Sequence, residues 1–360
     1  MPSTDNNNNT NPPDDEVVET FECGNCGRQL DSEFDLTYNY YYQEECCDDC
    51  DERGRRYEEE NEREQNEQDE QDEESEHIHS YSYRPRVNFM NSDGYNSAYA
   101  MMDESTMRPQ LYLGYELEVE YHGSDYCGLG ADMLMDRYGS PTPIYLKHDG
   151  SLNDGFEIVS MPGTLDYFRQ HFDWSGIKEL AKMGFKSWNN SHCGLHIHMS
   201  RNAFTNDRHM FLFIKFIFAN RDGLVEFSGR ESSYAKFGIE NFLNAYWDYD
   251  RQQQVRSRKL MDLVKGYESN NDRYTAVNLQ NANTIELRFF RPSLKPTTVL
   301  AALEFCDASF RYVNEVSLPD VLRNNALAWN SFRSWVDSVG KYPTLRERLN
   351  ERCGFLSPDA

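Results

Sequence analysis

Three stretches of the chain alternate apolar and charged positions with a period of two. They are Gly114-Tyr115-Glu116-Leu117-Glu118-Val119-Glu120, Gly194-Leu195-His196-Ile197-His198 and Thr284-Ile285-Glu286-Leu287-Arg288. Residues i and i+2 share one face of a β-strand. Each stretch therefore reads as a strand with Leu117, Val119, Ile197 and Leu287 turned to a core. The opposite face carries Glu116, Glu118, His196, His198, Glu286 and Arg288. Strands also read at Ile144–His148 and Gly155–Ser160, around the turn Asp149-Gly150-Ser151, and at Val277–Leu279 ahead of the Asn281–Asn283 turn. Helical spacing covers Ala131–Tyr138, Leu165–His171, Ile177–Met183, Asp207–Phe227 and Pro296–Val313, with shorter helices to Leu349. Antiparallel strands first, with long helices interleaved, predict an α+β domain rather than a doubly wound sheet.

The N-terminal fifth is different. Residues 1–20 are Asn- and Asp-rich and read as disordered, and residues 55–80 are a Glu/Gln/Asp/Asn tether too polar to bury a core. Between them, residues 21–54 form a Cys-rich module, and residues 81–360 are expected to form the main domain. Net charge is −25 over 360 residues. Residues 1–50 carry thirteen acids against one Arg, and residues 51–76 fourteen acids against four Arg, so the main body is nearly neutral. Such acidity disfavours a nucleic-acid tail. No apolar run approaches the roughly 18 residues of a membrane span, and the start has no apolar signal core, so a cytosolic protein is expected.

Five of the nine cysteines lie within Cys23–Cys50. Cys23-Gly-Asn-Cys26, twenty intervening residues, then Cys47-Asp-Asp-Cys50 is the spacing of a structural zinc ribbon. Cys46 is an alternative to Cys47. A redox pair needs no second C-x-x-C, so Zn²⁺ on Cys23, Cys26, Cys47 and Cys50 is the expectation.

Each charged strand has a bland alternative. Glu116 and Glu118 could be a solvated edge, His196 and His198 two satisfied histidines, Glu286 and Arg288 an exposed ion pair worth about 0–1 kcal/mol, and Asp149 and Ser151 ordinary turn chemistry. Taken as a set they suit divalent cations and phosphate. Carboxylates crowded on one face need a hard cation such as Mg²⁺ or Mn²⁺, and an Arg beside them can hold a transferring phosphoryl group.

The order of these motifs resembles the amidoligase family, a branch of the glutamine synthetase and glutamate–cysteine ligase superfamily of carboxylate–amine ligases. The resemblance rests on Gly114–Glu118, Asp149–Ser151 with Gly155–Ser160, Gly194–His198, and Arg273-Tyr274-Thr275-Ala276-Val277-Asn278-Leu279 ahead of Thr284–Arg288. It covers Leu111–Arg291, about half the chain, and departs from the family at Met161, which separates Ser160 from Pro162. It implies a glutamine synthetase-like antiparallel sheet, packed by helices, with a charged concave face. It also implies ATP and Mg²⁺ or Mn²⁺ as cofactors. Glu116, Glu118, Glu157, His196 or His198, and Glu286 would hold metal, and Arg288 would sit over the transferring phosphate. Arg273 and Asn278 would contact nucleotide phosphate or an acyl phosphate, and Asp149 with Ser151 would bind or deprotonate the amine. The partners implied are a carboxylate and an amine, with a free amino acid, a polyamine, a peptide or a protein terminus all open. A metal-dependent hydrolase with Zn²⁺ on His196 and His198, and a phosphotransferase, are the alternative readings.

Overall fold

The computed structural model describes residues 21–30, 36–39, 42, 44–56, 76–91, 94–96, 110–121, 126–187, 193–232, 235–237 and 274–355. Arg273 lies outside them. The chain divides into two units, residues 1–71 and 72–360, each described by itself.

In the first unit, β1 (Phe21–Glu22) pairs with β2 (Gln29–Leu30), and β3 (Leu36–Asn39) with β4 (Glu44–Cys47), both antiparallel. Helix α1, residues 48–56, follows directly on β4. Gly27 sits at φ 70° between β1 and β2, the left-handed region that glycine adopts without strain.

The second unit is built on a seven-stranded sheet. Its strands are β5 (Ile78–His79), β8 (Leu113–Glu120), β9 (Ile144–Lys147), β10 (Gly155–Ser160), β11 (Leu195–Ser200), β12 (Val277–Asn278) and β13 (Thr284–Phe290), in the order β12-β13-β11-β8-β10-β9-β5. A small hairpin, β6 (Phe89–Asn91) with β7 (Gly94–Asn96), lies outside this order. All neighbours in the large sheet are antiparallel except β5 and β9, which run parallel. The expected antiparallel sheet is therefore mixed. Its parallel edge comes from a two-residue strand in a segment whose composition gave no strand signal.

One face of the sheet is apolar as the alternation predicts. Leu113, Tyr115, Leu117, Val119, Leu195, Ile197, Met199, Ile285, Leu287 and Phe289 are each at most 1% exposed. Helices α2 (Tyr126–Tyr138), α3 (Leu165–Gln170), α4 (Ser175–Met183), α5 (Asp207–Ala219), α6 (Arg221–Ser228), α7 (Pro296–Glu315), α8 (Leu318–Arg323), α9 (Trp329–Val339) and α10 (Pro343–Cys353) complete the unit. Tyr115 packs against Phe168, Phe172 and Trp174. Phe305 of α7 packs against Phe289 and Phe290. Each such fully buried side chain contributes about 1.5–3 kcal/mol.

The helix expected over Asp207–Phe227 is two helices. Asn220 leaves helical geometry at φ −113°, ψ 29° and its side-chain amide donates to the carbonyls of Phe216 (2.7 Å) and Leu327 (2.8 Å). Those bonds break the helix where the apolar spacing alone does not. The helix read from Ala131 begins at Tyr126. Among the described residues no helix is long and apolar enough to cross a membrane.

Candidate metal and phosphate site

Strand register sets the candidate site. Glu118 lies opposite Glu157, and Glu157 opposite Lys147. Glu116 lies opposite His196, His198 opposite Glu286, and Glu286 opposite Asn278. Residues directly opposite on one face have Cβ atoms about 4.5–5.5 Å apart, so these pairings draw the charged residues of five strands into adjoining rows.

Glu116 is the centre. Its Oε2 is 3.4 Å from His196 Nδ1, and its Oε1 is 3.2 Å from His198 Nε2. His196 Nδ1 is also 3.5 Å from Glu286 Oε1, and its Nε2 is 3.9 Å from Glu118 Oε1. The Nδ1 of His198 is 3.0 Å from Thr284 Oγ1. Glu286 accepts from Asn278 Nδ2 at 2.8 Å, from Asn281 Nδ2 at 3.3 Å, and from the Arg288 guanidinium. The Oδ1 of Asn278 accepts from the Gln280 N–H at 2.9 Å, so its amide is given over to Glu286 and the following turn.

The Asp149–Asp154 turn completes the face. The N–H and hydroxyl of Ser151 donate to Asp149 Oδ1 at 2.8 and 2.5 Å, fixing the carboxylate. Glu120 is turned to the structure of this loop: its Oε1 accepts from the Asn153 N–H at 3.1 Å. Gly155 is required by close approach, since a Cβ there would lie 2.0 Å from the Val119 carbonyl oxygen. At Gly194 a Cβ would lie 2.6 Å from His196 Nε2 and 3.3 Å from Glu118 Oε2. Its own N–H donates to Glu118 Oε2.

Three groups of ligand atoms meet on this face, each within 4.8 Å: Glu116–His198–Glu286, Glu116–Glu157–His196, and Glu118–Asp149–Glu157. The electrostatics fit a cation. Burial, with Glu116 nearby, pushes the Glu157 carboxyl well above its ordinary range despite Lys147, and burial raises Glu118 despite His196. Burial also opposes ionisation of Glu116 and Glu286, but the imidazoles of His198 and His196 outweigh it and hold both carboxyls low. Conversely, burial opposes protonation of His198 and is outweighed by Glu116 and Glu286. Carboxylates and imidazoles forced together out of water are a donor set for Mg²⁺ or Mn²⁺.

Two site residues escaped the sequence reading. Arg230 follows the left-handed Gly229 at the end of α6, and its Nη1 lies 3.2 Å from the carbonyl oxygens of both Arg288 and Phe290. Burial lowers its pKa, against the pull of Glu118. The helix stop Gly229 was the signal available; nothing adjacent in sequence shows what Arg230 faces. Lys147 is 5% exposed with its Nζ 3.0 Å from Glu157 Oε2. The strand Ile144–His148 was visible, but not the partner that makes its last lysine a buried one.

In the first unit, Cys23, Cys26, Cys47 and Cys50 converge, with Cys26 Sγ 3.8 Å from Cys47 Sγ. Cys46, next to Cys47 on a strand, points to the other face and is not among the four. Desolvation opposes thiolate formation at Cys23, yet backbone N–H groups led by Cys47 bring its thiol down to about 6. The Cys47 N–H donates to Cys23 Sγ at 3.3 Å and Arg53 Nη2 to Cys50 Sγ at 3.2 Å. Four converging sulfurs supplied with donors fit a tetrahedral Zn²⁺ site.

The sequence model of the family described as "Putative amidoligase enzyme" matches residues 142–310. That segment holds Asp149, Glu157, His196, His198, Arg230, Glu286 and Arg288; Glu116 and Glu118 precede it. The match supports an enzyme of the amide-bond-forming ligase kind. No curated protein matches the chain.

Proposed function

We propose that residues 81–360 are a glutamine synthetase-like ligase that joins a carboxylate to an amine at the expense of ATP. The observation that carries this reading is the place of Glu116. One carboxylate faces two imidazoles, belongs to two ligand groups at once, and lies two strands from the Glu286–Arg288 pair, with β11 between. Adjacent cation positions sharing a carboxylate, with a guanidinium beside them, suit phosphoryl transfer better than a hydrolase built on His196 and His198 alone.

Glu116, Glu157, His196, His198 and Glu286 would hold Mg²⁺ or Mn²⁺, with Glu118 adjoining. Bound there, the metal would neutralise phosphate charge. Arg288 stabilises the charge that spreads over the transferring phosphoryl oxygens, and Arg230 fixes the strand end that carries Arg288. Asn278 orients Glu286; Arg273 is assigned to nucleotide or acyl phosphate. The substrate carboxylate oxygen attacks the γ-phosphorus and ADP leaves, giving an acyl phosphate. The amine nitrogen attacks the acyl carbon, phosphate departs with one former carboxylate oxygen, and the amine proton passes to Asp149, held in place by Ser151. A peptide or protein substrate, brought by a docking role of the Cys module, is within this reading.

The test is ATP turnover with a panel of ¹⁸O-labelled carboxylates and amines. Label recovered in inorganic phosphate, together with an amide product, is the expected result. Glu286→Gln should reduce turnover at least about 10²-fold in a chain that still folds. A stable phosphorylated product would indicate the phosphotransferase instead, and hydrolysis without nucleotide the metallohydrolase.

A further inference from the structure

Lys147 is a buried charge on the metal-binding face that the reaction above does not use. It ends β9 directly opposite Glu157, and its ammonium nitrogen is 3.0 Å from Glu157 Oε2. On the other side of the strand His79 lies opposite it. The turn that follows β5 closes over it: the Tyr81 ring is 5.4 Å from Nζ, His79 stacks on Tyr83 at 3.7 Å, and Tyr83 meets Tyr145 edge-on at 5.9 Å. His79, Tyr81 and Tyr83 precede the segment that matches the family model, and Tyr145 lies within it.

The three ligand groups form a chain. The first and second share Glu116, and the second and third share Glu157. To serve two metals a carboxylate must give each an oxygen. Glu116 can, because both of its oxygens face imidazoles, which are themselves metal ligands in the neutral form. Glu157 cannot, because Lys147 holds Oε2. A divalent ion on Glu118–Asp149–Glu157 would also meet the ammonium as a like charge in a water-poor pocket.

We propose that the Lys147 ammonium is a built-in cation that stands in for a third metal ion, so that this face takes two divalent cations and leaves Asp149 to the amine. The proposal rests on the reading of the face as a metal centre.

The experiment counts Mn²⁺ bound per full-length chain by equilibrium dialysis with electron paramagnetic resonance, with zinc quantified separately, since Mn²⁺ favours oxygen ligands over thiolates. Wild type should bind two, Lys147→Met three, Lys147→Arg two, and Lys147→Met with Asp149→Asn two again. In the otherwise wild-type chain Asp149→Asn should leave Mn²⁺ affinity within about twofold, because Asp149 belongs only to the third group. Three ions in wild type, a folded Lys147→Met that still binds two, or loss of an ion on Asp149→Asn would each overturn the proposal. The wild-type count and the Asp149→Asn result decide it even if Lys147→Met does not fold. Failure to bind Mn²⁺ at all would remove the metal-centre reading and the proposal together.

Discussion

Glu116 and Glu157 share a sheet face and are pulled in opposite directions by their neighbours. Glu116 is held ionised by two imidazoles against the cost of burial, whereas burial and the charge of Glu116 favour the proton on Glu157. Metal ligands must be deprotonated, so Glu157 and His198, both pushed upward, must lose protons when a metal enters. Mn²⁺ affinity should therefore rise with pH from the ordinary carboxylate range upward and level off once these groups are deprotonated. Calorimetry at pH 6 in two buffers of different ionisation enthalpy should show proton release, and equal heats would contradict it. The metal-free chain should behave in the opposite sense. A carboxyl raised in the folded state contributes stability below its unfolded value and loses it as pH rises through the folded one. At this scale the sequence was informative about side-chain direction. The period-two pattern placed Glu116, Glu118, His196, His198, Glu286 and Arg288 on one face. It could not show that the Asn278 amide goes to Glu286, or that Lys147 finds Glu157, because both depend on which residue lies across the neighbouring strand.

Register is a property of pairs of elements. One pairing that sets the site is β8 against β10, where Gly155 lies opposite Glu120 and lets the backbones close. Gly155→Ala would drive a methyl group into the Val119 carbonyl, which no side-chain movement relieves. A loss of about 1–3 kcal/mol is expected, read as a lower urea midpoint, together with weaker Mn²⁺ binding as Glu157 moves away from Glu116 and His196. Unchanged metal affinity would show that this pairing does not set the site. Element types were largely legible, and their limits less so. The break at Asn220 was hidden because Asp207–Phe227 keeps its apolar spacing across it, while the cause is a hydrogen bond to Leu327, more than a hundred residues away. The parallel β5 was hidden because two residues carry no periodicity.

On the scale of the whole molecule, the acidic N-terminal fifth and the nearly neutral remainder coincide with a division into two units. Among the described residues of the Cys unit the apolar core is Cys23, Cys46, Cys47 and Cys50 with the partly buried Leu30, Leu36 and Tyr42 against it, and a core that small needs a metal to hold it. A structural zinc is worth about 10–16 kcal/mol in small modules. Chelation of zinc from the full-length protein should remove hydrogen-exchange protection from residues 21–56 while leaving β8, β10, β11 and β13 protected. Loss of protection in the sheet would mean that the two units are not independently stable.

The ligand set joins residues far apart along the chain: Glu116 meets His196 across 80 positions, and His198 meets Thr284 across 86. No subset of neighbouring segments brings it together, and each pairing closes a long loop at an entropic cost. A cation at this face thus acts as a lock on the finished topology rather than a seed for it. Cation capture becomes a late event in folding, and partly folded chains, lacking the complete ligand set, are spared from binding metal prematurely.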